Sequence, residues 1–126
     1  MRILLVDDSR TMRNIMRRTI ETLGGMEFSD ASDGVEALKV IAASPAGFDL
    51  IIIDWNMPNM NGISLVRKIR EQDKKTLLMM VTTEAEKNRV VEAITAGVNN
   101  YAVKPFTPEA LLEKVSQTLG KLKAAA

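Results

Sequence analysis

The sequence predicts an α/β fold: a twisted parallel sheet of five strands with helices wound on both faces. Three observations predict it. Short apolar runs recur at 2–7, 26–31, 49–54, 77–82 and 100–104. Segments of helical periodicity separate and follow them, the pattern of repeated βα units. The runs at 3–6, 50–53 and 77–81 are apolar without alternation, as strands buried on both faces are.

The first run, Ile3-Leu4-Leu5-Val6, ends in Asp7-Asp8. It is too short for a signal segment or a membrane span. Met12, Ile15, Met16, Ile20 and Leu23 then follow the i, i+3, i+4 rule, which predicts a helix over 9–23 closed by Gly24-Gly25. On this helix, Arg13, Arg17 and Arg18 read as a solvated face rather than a partner patch. The second run, Met26–Ala31, alternates, which suits an outer strand. Asp33 and Glu36 have capping-box spacing and open a helix over 34–43, ended by the loop Ser44-Pro45-Ala46-Gly47. Leu50-Ile51-Ile52-Ile53 runs straight into Asp54 and a turn-forming segment. Ile63, Val66, Ile69 and Arg70 predict a helix over 62–72, with Gly62 opening it. Val90, Val91 and Ile94 mark the buried side of a helix over 84–96, closed by Gly97. The fifth strand is short and belongs, with the second, on the outside of the sheet. Thr107-Pro108 is an N-cap followed by proline at the first helical position. Leu111, Leu112, Val115, Leu119 and Leu122 face inward on the last helix.

Bulk composition removes several function classes. The 126 residues fit a single domain over 1–126, and 46% hydrophobic content supplies a core. Seventeen basic and sixteen acidic residues leave a net charge of +1, which calls for neither nucleic acid nor an anionic membrane. Without cysteine there is no disulfide or thiolate metal site, and without histidine the commonest general base at neutral pH is missing.

In a parallel sheet the C-terminal strand ends share one edge, and ligands bind there. That edge should gather Asp7 and Asp8, Asp54, Thr82 and Thr83, and Lys104. An aspartate after a strand is ordinarily a helix cap; the convergence of all these groups favours a site. Carboxylates held close together repel unless a proton or cation bridges them. Oxygen donors alone suit Mg²⁺, which retains waters and shares phosphate oxygens. A carboxylate there can attack phosphorus, with lysine and hydroxyl holding the phosphoryl oxygens. Spacing alone therefore indicates phosphoryl transfer onto, or off, an aspartate.

Five stretches carry a family resemblance: Leu5-Val6-Asp7-Asp8-Ser9, Asp33-Gly34-Val35-Glu36-Ala37-Leu38, Asp54-Trp55-Asn56-Met57-Pro58-Asn59-Met60-Asn61-Gly62, Met80-Val81-Thr82 and Lys104-Pro105-Phe106. In this order the chain resembles the receiver domains of two-component response regulators, most of all the stand-alone chemotaxis regulators. The resemblance implies a doubly wound, flavodoxin-like (βα)5 sheet of strand order 2-1-3-4-5. It implies that Asp54 is the phospho-acceptor. Asp8 and Asp54 would hold Mg²⁺ directly, Asn56 through its backbone carbonyl, and Asp7 through water. Lys104 would pair with the carboxylate and then the phosphoryl group. Thr82 would move onto the phosphoryl oxygens and Tyr101 would follow as the aromatic switch. Asn56 and Glu84 match rate-tuning positions, with a first-turn helix acid as the competing reading of Glu84. The Lys104-Pro105 bond would be cis. For Tyr101 the competing reading is plain packing, and its place three residues before Lys104 favours the switch. Trp55 is open between lid and packing, whereas Met57 and Met60 read as loop packing.

The same resemblance implies partners and place. A histidine kinase would supply the phosphoryl group, and the fourth helix, fifth strand and fifth helix would carry the output. The expected contact residues are Ala85, Lys87, Val90, Ile94, Val98 and Tyr101. The output partner would be a flagellar motor switch protein, with a phosphatase as a further partner. A cytoplasmic monomer that is a signalling switch rather than an enzyme is expected. Two positions depart from the chemotaxis pattern: Glu86, where a basic residue is frequent, and Asn61, where an acid is frequent. Other readings are a phosphorelay intermediate that passes the group to a histidine phosphotransfer domain, and a receiver cut from a longer DNA-binding regulator. An aspartate-nucleophile phosphatase is disfavoured because Asn56 stands where such enzymes place an acid.

Overall fold

The computed structural model describes residues 1–83 and 89–125, and side chains for 1–83 and 89–120. Five strands alternate with five helices: β1 (Arg2–Val6), α1 (Arg10–Glu21), β2 (Glu27–Ala31), α2 (Gly34–Ala42), β3 (Leu50–Asp54), α3 (Gly62–Arg70), β4 (Leu77–Thr83), α4 (Val90–Ala96), β5 (Asn100–Lys104) and α5 (Pro108–Ala125). All strand pairings are parallel, in the order β2-β1-β3-β4-β5. The predicted central strands are central, and the two predicted outer strands lie at the edges.

Register divides the side chains into two cores. Leu4, Val6, Ile51, Ile53, Leu78 and Met80 face α2, α3 and α4, meeting Ala37, Leu65, Val66 and Ala93. Ile3, Leu5, Leu50, Ile52, Met79 and Val81 face α1 and α5, meeting Met16, Ile20, Leu111 and Val115. Both faces of β1, β3 and β4 are thus dry, which is why these strands read as unbroken apolar runs.

The caps explain most element ends. Ser9, Asp33 and Asn61 each accept a backbone N–H three residues on, from Met12, Glu36 and Ser64. Asn61, the departure from the acidic pattern, therefore caps α3 as an aspartate would. Thr107 Oγ1 accepts from the Ala110 amide at 3.1 Å. Gly97 closes α4 in the left-handed region at φ 119°, as the glycine rule predicts. The capping box at α2 is half made: the Glu36 carboxylate takes the Ser32 hydroxyl at 2.5 Å.

Several expectations are corrected. On α4 the buried contact is Ala93; Val91 is 75% and Ile94 54% exposed. Ala93 packs into the core shared with α3, and the helix is rotated so that its larger side chains turn outward. Val98, expected on the partner surface, is buried, because the chain turns back into the core after Gly97. Ile15 and Leu23 are exposed as well. The buried stripe of α1 is the narrower i, i+4 line through Met16 and Ile20, and Leu23 lies past the helix end. Arg13 and Arg17 do not form a solvated face: both pair with Asp30 at the end of β2. Trp55 is a packing residue, 1% exposed in the core around α3 and α4. Met57 and Met60 pack against that same core. Glu84, Ala85, Glu86 and Lys87 lie outside the described residues, as does the Leu122 side chain.

Candidate functional site

The C-terminal strand ends do collect the expected groups. Strand β1 delivers Asp7, with Asp8 beyond it; β3 ends on Asp54; β5 ends on Lys104. One carboxylate oxygen from each of Asp7, Asp8 and Asp54 lies within 4.8 Å of the others. The Lys104 ammonium sits 3.1 Å from Asp7 Oδ2 and 3.3 Å from Asp54 Oδ1. Asp7 and Asp54 are buried, whereas Asp8 is exposed. Asp7 is held hardest. Its amide donates to the Ala31 carbonyl at 3.1 Å, and its Oδ1 accepts the Ser9 amide at 2.8 Å. Lys104 takes its other oxygen, so Asp8 is the acid left to reach outward.

Local sequence makes Asp54 stand where it does. Five consecutive buried residues carry the strand to its end, and the Trp55 amide donates to Val81 on β4 at 3.0 Å. The chain then returns so that the Gly62 amide donates to the Trp55 carbonyl at 2.8 Å. A Cβ on Gly62 would fall 2.4 Å from the Asp54 carbonyl oxygen. Only glycine permits that approach. The intervening turn is pinned by Asn59, at φ 66°, whose Nδ2 donates to Asp33 Oδ2 at 2.8 Å.

Charge crowding sets the protonation. Burial first, and the Asp7 charge second, push the Asp54 carboxyl up to about 6 against the pull of Lys104. Burial alone would draw the Lys104 ammonium down, but Asp54 and Asp7 outweigh it and hold the ammonium above its ordinary value. Asp54 is therefore ionised at neutral pH and short of compensating charge. One ammonium facing three carboxylates leaves the cluster net negative, and all its free donors are hard oxygens. This set fits Mg²⁺ by chemistry.

Thr82 and Tyr101, the two expected switch residues, lie on the other side of the sheet. Asp54 and Lys104 continue the side of β3 and β5 that packs on α1 and α5. Thr82 continues the opposite side, with Met80, and Tyr101 pairs with Met80 on that side. Thr82 Oγ1 is buried and has no hydrogen-bond partner among the described residues. A buried hydroxyl without an acceptor is costly. Tyr101 is half-buried, with Lys114 Nζ 5.3 Å from its ring centre. Of the other expected residues, Asn56 is exposed in the turn after Asp54, and the Lys104-Pro105 bond is cis. Val90 is half-buried and Ile94 exposed on α4.

Sequence reasoning passed over Arg13, which reaches the site from α1. Its Nη1 donates to the Asp7 carbonyl at 2.5 Å and its Nε to Asp30 Oδ2 at 3.0 Å. The available signal is the i, i+4 pair Arg13 and Arg17 flanking the buried stripe through Met16 and Ile20. It also passed over the Gly62 approach to Asp54, which depends on how the turn folds back.

Comparison with known proteins agrees with this geometry. The sequence profile of the response regulator receiver domain matches residues 3–116. Chemotaxis protein CheY1 of Helicobacter pylori is 48% identical over 122 residues, covering 95% of this chain and 98% of that protein. Chemotaxis protein CheY of Pseudomonas aeruginosa is 44% identical over 119 residues, covering 93% of this chain and 94% of that one. Among solved structures, CheY4 of Vibrio cholerae superposes with a TM-score of 0.83 at 39% identity, over 93% of this chain and 97% of its own. A CheY-like receiver from Methanospirillum hungatei reaches a TM-score of 0.88 at 30% identity, over 99% and 98%. A parallel sheet that brings acids and a lysine to one edge, and relatives alike over nearly their whole length, lead to one assignment: this chain belongs to the response regulator receiver domain family and is closely related to the CheY chemotaxis regulators.

Proposed function

We propose that Asp54 accepts a phosphoryl group from a partner histidine kinase and that the α4–β5–α5 surface reads out its presence. The observation that carries this is the Asp54 carboxylate itself: buried, 3.3 Å from Lys104, and in a cluster of acids with hard-oxygen donors. Asp8, Asp54 and the Asn56 carbonyl would hold Mg²⁺, with Asp7 reached through water. The ion supplies charge neutralisation for the phosphoryl oxygens when bound. An Asp54 oxygen attacks phosphorus; the phosphorus–nitrogen bond of the donor's phosphohistidine breaks; its electron pair returns to the imidazole. An acyl phosphate forms on Asp54. Lys104 moves its ammonium from the carboxylate to the new oxygens.

The phosphoryl group adds close to two negative charges and strong acceptors. The Thr82 hydroxyl, which has no hydrogen-bond partner among the described residues, would be the donor that answers them. Its movement would empty space on the face where Tyr101 packs, biasing a two-state surface that includes the exposed Ile94 and the Tyr101 edge. Asn56 flanks the acceptor and would tune hydrolysis of the acyl phosphate; Glu84 is assigned the same role. We assign the chain to signalling in the cytoplasm rather than to enzyme turnover. No described helix is long and apolar enough to cross a membrane. Its output, by kinship with the chemotaxis regulators, is control of the flagellar motor.

The test is phosphorylation of the protein by acetyl phosphate and Mg²⁺, followed by intact mass. Wild type is expected to gain one phosphoryl group, and Asp54→Asn none. Labelling of Asp54→Asn at the wild-type rate would overturn the assignment. Rapid passage of the label to a histidine phosphotransfer domain would replace motor control with relay.

A further inference from the structure

Arg13 holds the main chain of the acidic pocket rather than any of its carboxylates. Its Nη1 donates to the Asp7 carbonyl at 2.5 Å. That carbonyl belongs to the peptide unit joining Asp7 to Asp8, so the contact sets the plane of that peptide and the direction in which Asp8 leaves it. The guanidinium is itself anchored. Its Nε donates to Asp30 Oδ2 at 3.0 Å, and the side chain is only 13% exposed. Asp30 in turn pairs with Arg17, whose guanidinium lies 5.9 Å from the Phe28 ring centre. A planar guanidinium fork fixes the directions of the carbonyl and the carboxylate it bridges, whereas a compact ammonium with rotatable donors on a flexible stem holds them less strictly. Asp7 is meanwhile held by the Ala31 carbonyl, the Ser9 amide and Lys104, whereas Asp8 is exposed at the rim.

We infer that Arg13 is a positioning residue for the cation site: anchored on Asp30, it orients the Asp7–Asp8 peptide so that the Asp8 carboxylate faces the ion. This rests on the reading of the acidic cluster as a Mg²⁺ site. The sign of the effect separates positioning from electrostatics. Arg13 is a cation beside a cation site, so by Coulomb repulsion alone its removal would tighten Mg²⁺ binding. Loss of positioning does the opposite. Groups that orient metal ligands are worth about 10–100-fold in affinity.

The experiment is Mg²⁺ titration of the full chain, followed by emission of Trp55, its single tryptophan beside Asp54. Far-UV circular dichroism confirms that each variant is folded. Arg13→Met is expected to weaken Mg²⁺ binding by about 10–100-fold. Arg13→Lys, which keeps the charge and has the better chance of folding, is expected to weaken it in the same direction. Arg17→Met, which removes a charge on the same Asp30 without touching Asp7, is expected to leave the Kd unchanged. Unchanged or tighter binding in both Arg13 variants would overturn the inference. Asp8→Asn separates the two levels: if it also leaves Mg²⁺ binding intact, the cation site itself is wrong, whereas loss in Asp8→Asn with wild-type Arg13 variants removes only the role of Arg13.

Discussion

The Lys104 ammonium stands 3.3 Å from the Asp54 carboxylate, and each perturbs the other's proton. Burial and Asp7 push the Asp54 carboxyl up to about 6, and Lys104 opposes them. Between the ordinary carboxylate range and this value, the folded chain binds more protons at Asp54 than the unfolded chain does. Stability contributed by this group therefore falls as pH rises from about 4 to about 6. Asp33 and Asp73 act oppositely. Hydrogen bonds from the Glu36 amide and Asn59 hold Asp33 down, and those from Thr76 outweigh burial at Asp73. Urea denaturation in EDTA across this range is expected to show a decline in wild type that Asp54→Asn lacks. Lys104→Ala, which loses the opposing cation, should carry the decline to higher pH.

Magnesium is expected to relieve the same crowding. At a free concentration a hundred times its Kd, a ligand specific for the folded state stabilises by roughly 2.7 kcal/mol. Thermal melts with and without Mg²⁺ check this, and Asp8→Asn should abolish most of the shift. An unchanged Tm in wild type would count against the cluster as a cation site.

Thr82 is expected to separate stability from signalling. Thr82→Val keeps the shape and removes a buried hydroxyl that has no partner among the described residues. The resting protein should be unchanged or more stable by about 1 kcal/mol. Its phosphorylated form should fail to change the environment of Tyr101. Urea midpoints measure the first effect, and the ring signals of Tyr101 by NMR, before and after acetyl phosphate, measure the second.

Gly62→Ala tests the close approach behind the acceptor. The added methyl would meet the Asp54 carbonyl at 2.4 Å, with the Met80 sulfur and the Trp55 Cα at 3.0 Å. Two of these neighbours are backbone and give little. Overpacking of this kind costs about 1–3 kcal/mol. A lowered Tm together with slower uptake of phosphate is expected, because the displaced backbone carries Asp54 with it.

Sequence by itself determined the α/β class, the central and outer strands, and the edge where function collects. It could do so because buried strands write unbroken apolar runs, and parallel winding sends the charges that follow them to one side. The acids Asp7, Asp8 and Asp54 and the lysine Lys104 each terminate such a run or stand next to one, so their convergence was legible. Tertiary structure decided what depends on register and helix rotation. That Asp54 and Lys104 share one face of the sheet while Thr82 and Tyr101 share the other follows from strand pairing, which apolar runs do not encode. The burial of Ala93 rather than Val91 and Ile94 is a matter of how α4 is rotated against the core it shares with α3. Arg13 looked like solvated charge because its partners, Asp30 and the Asp7 carbonyl, come from the ends of two other elements. Hydropathy marks which residues avoid water; it carries no record of which polar groups meet once they have done so.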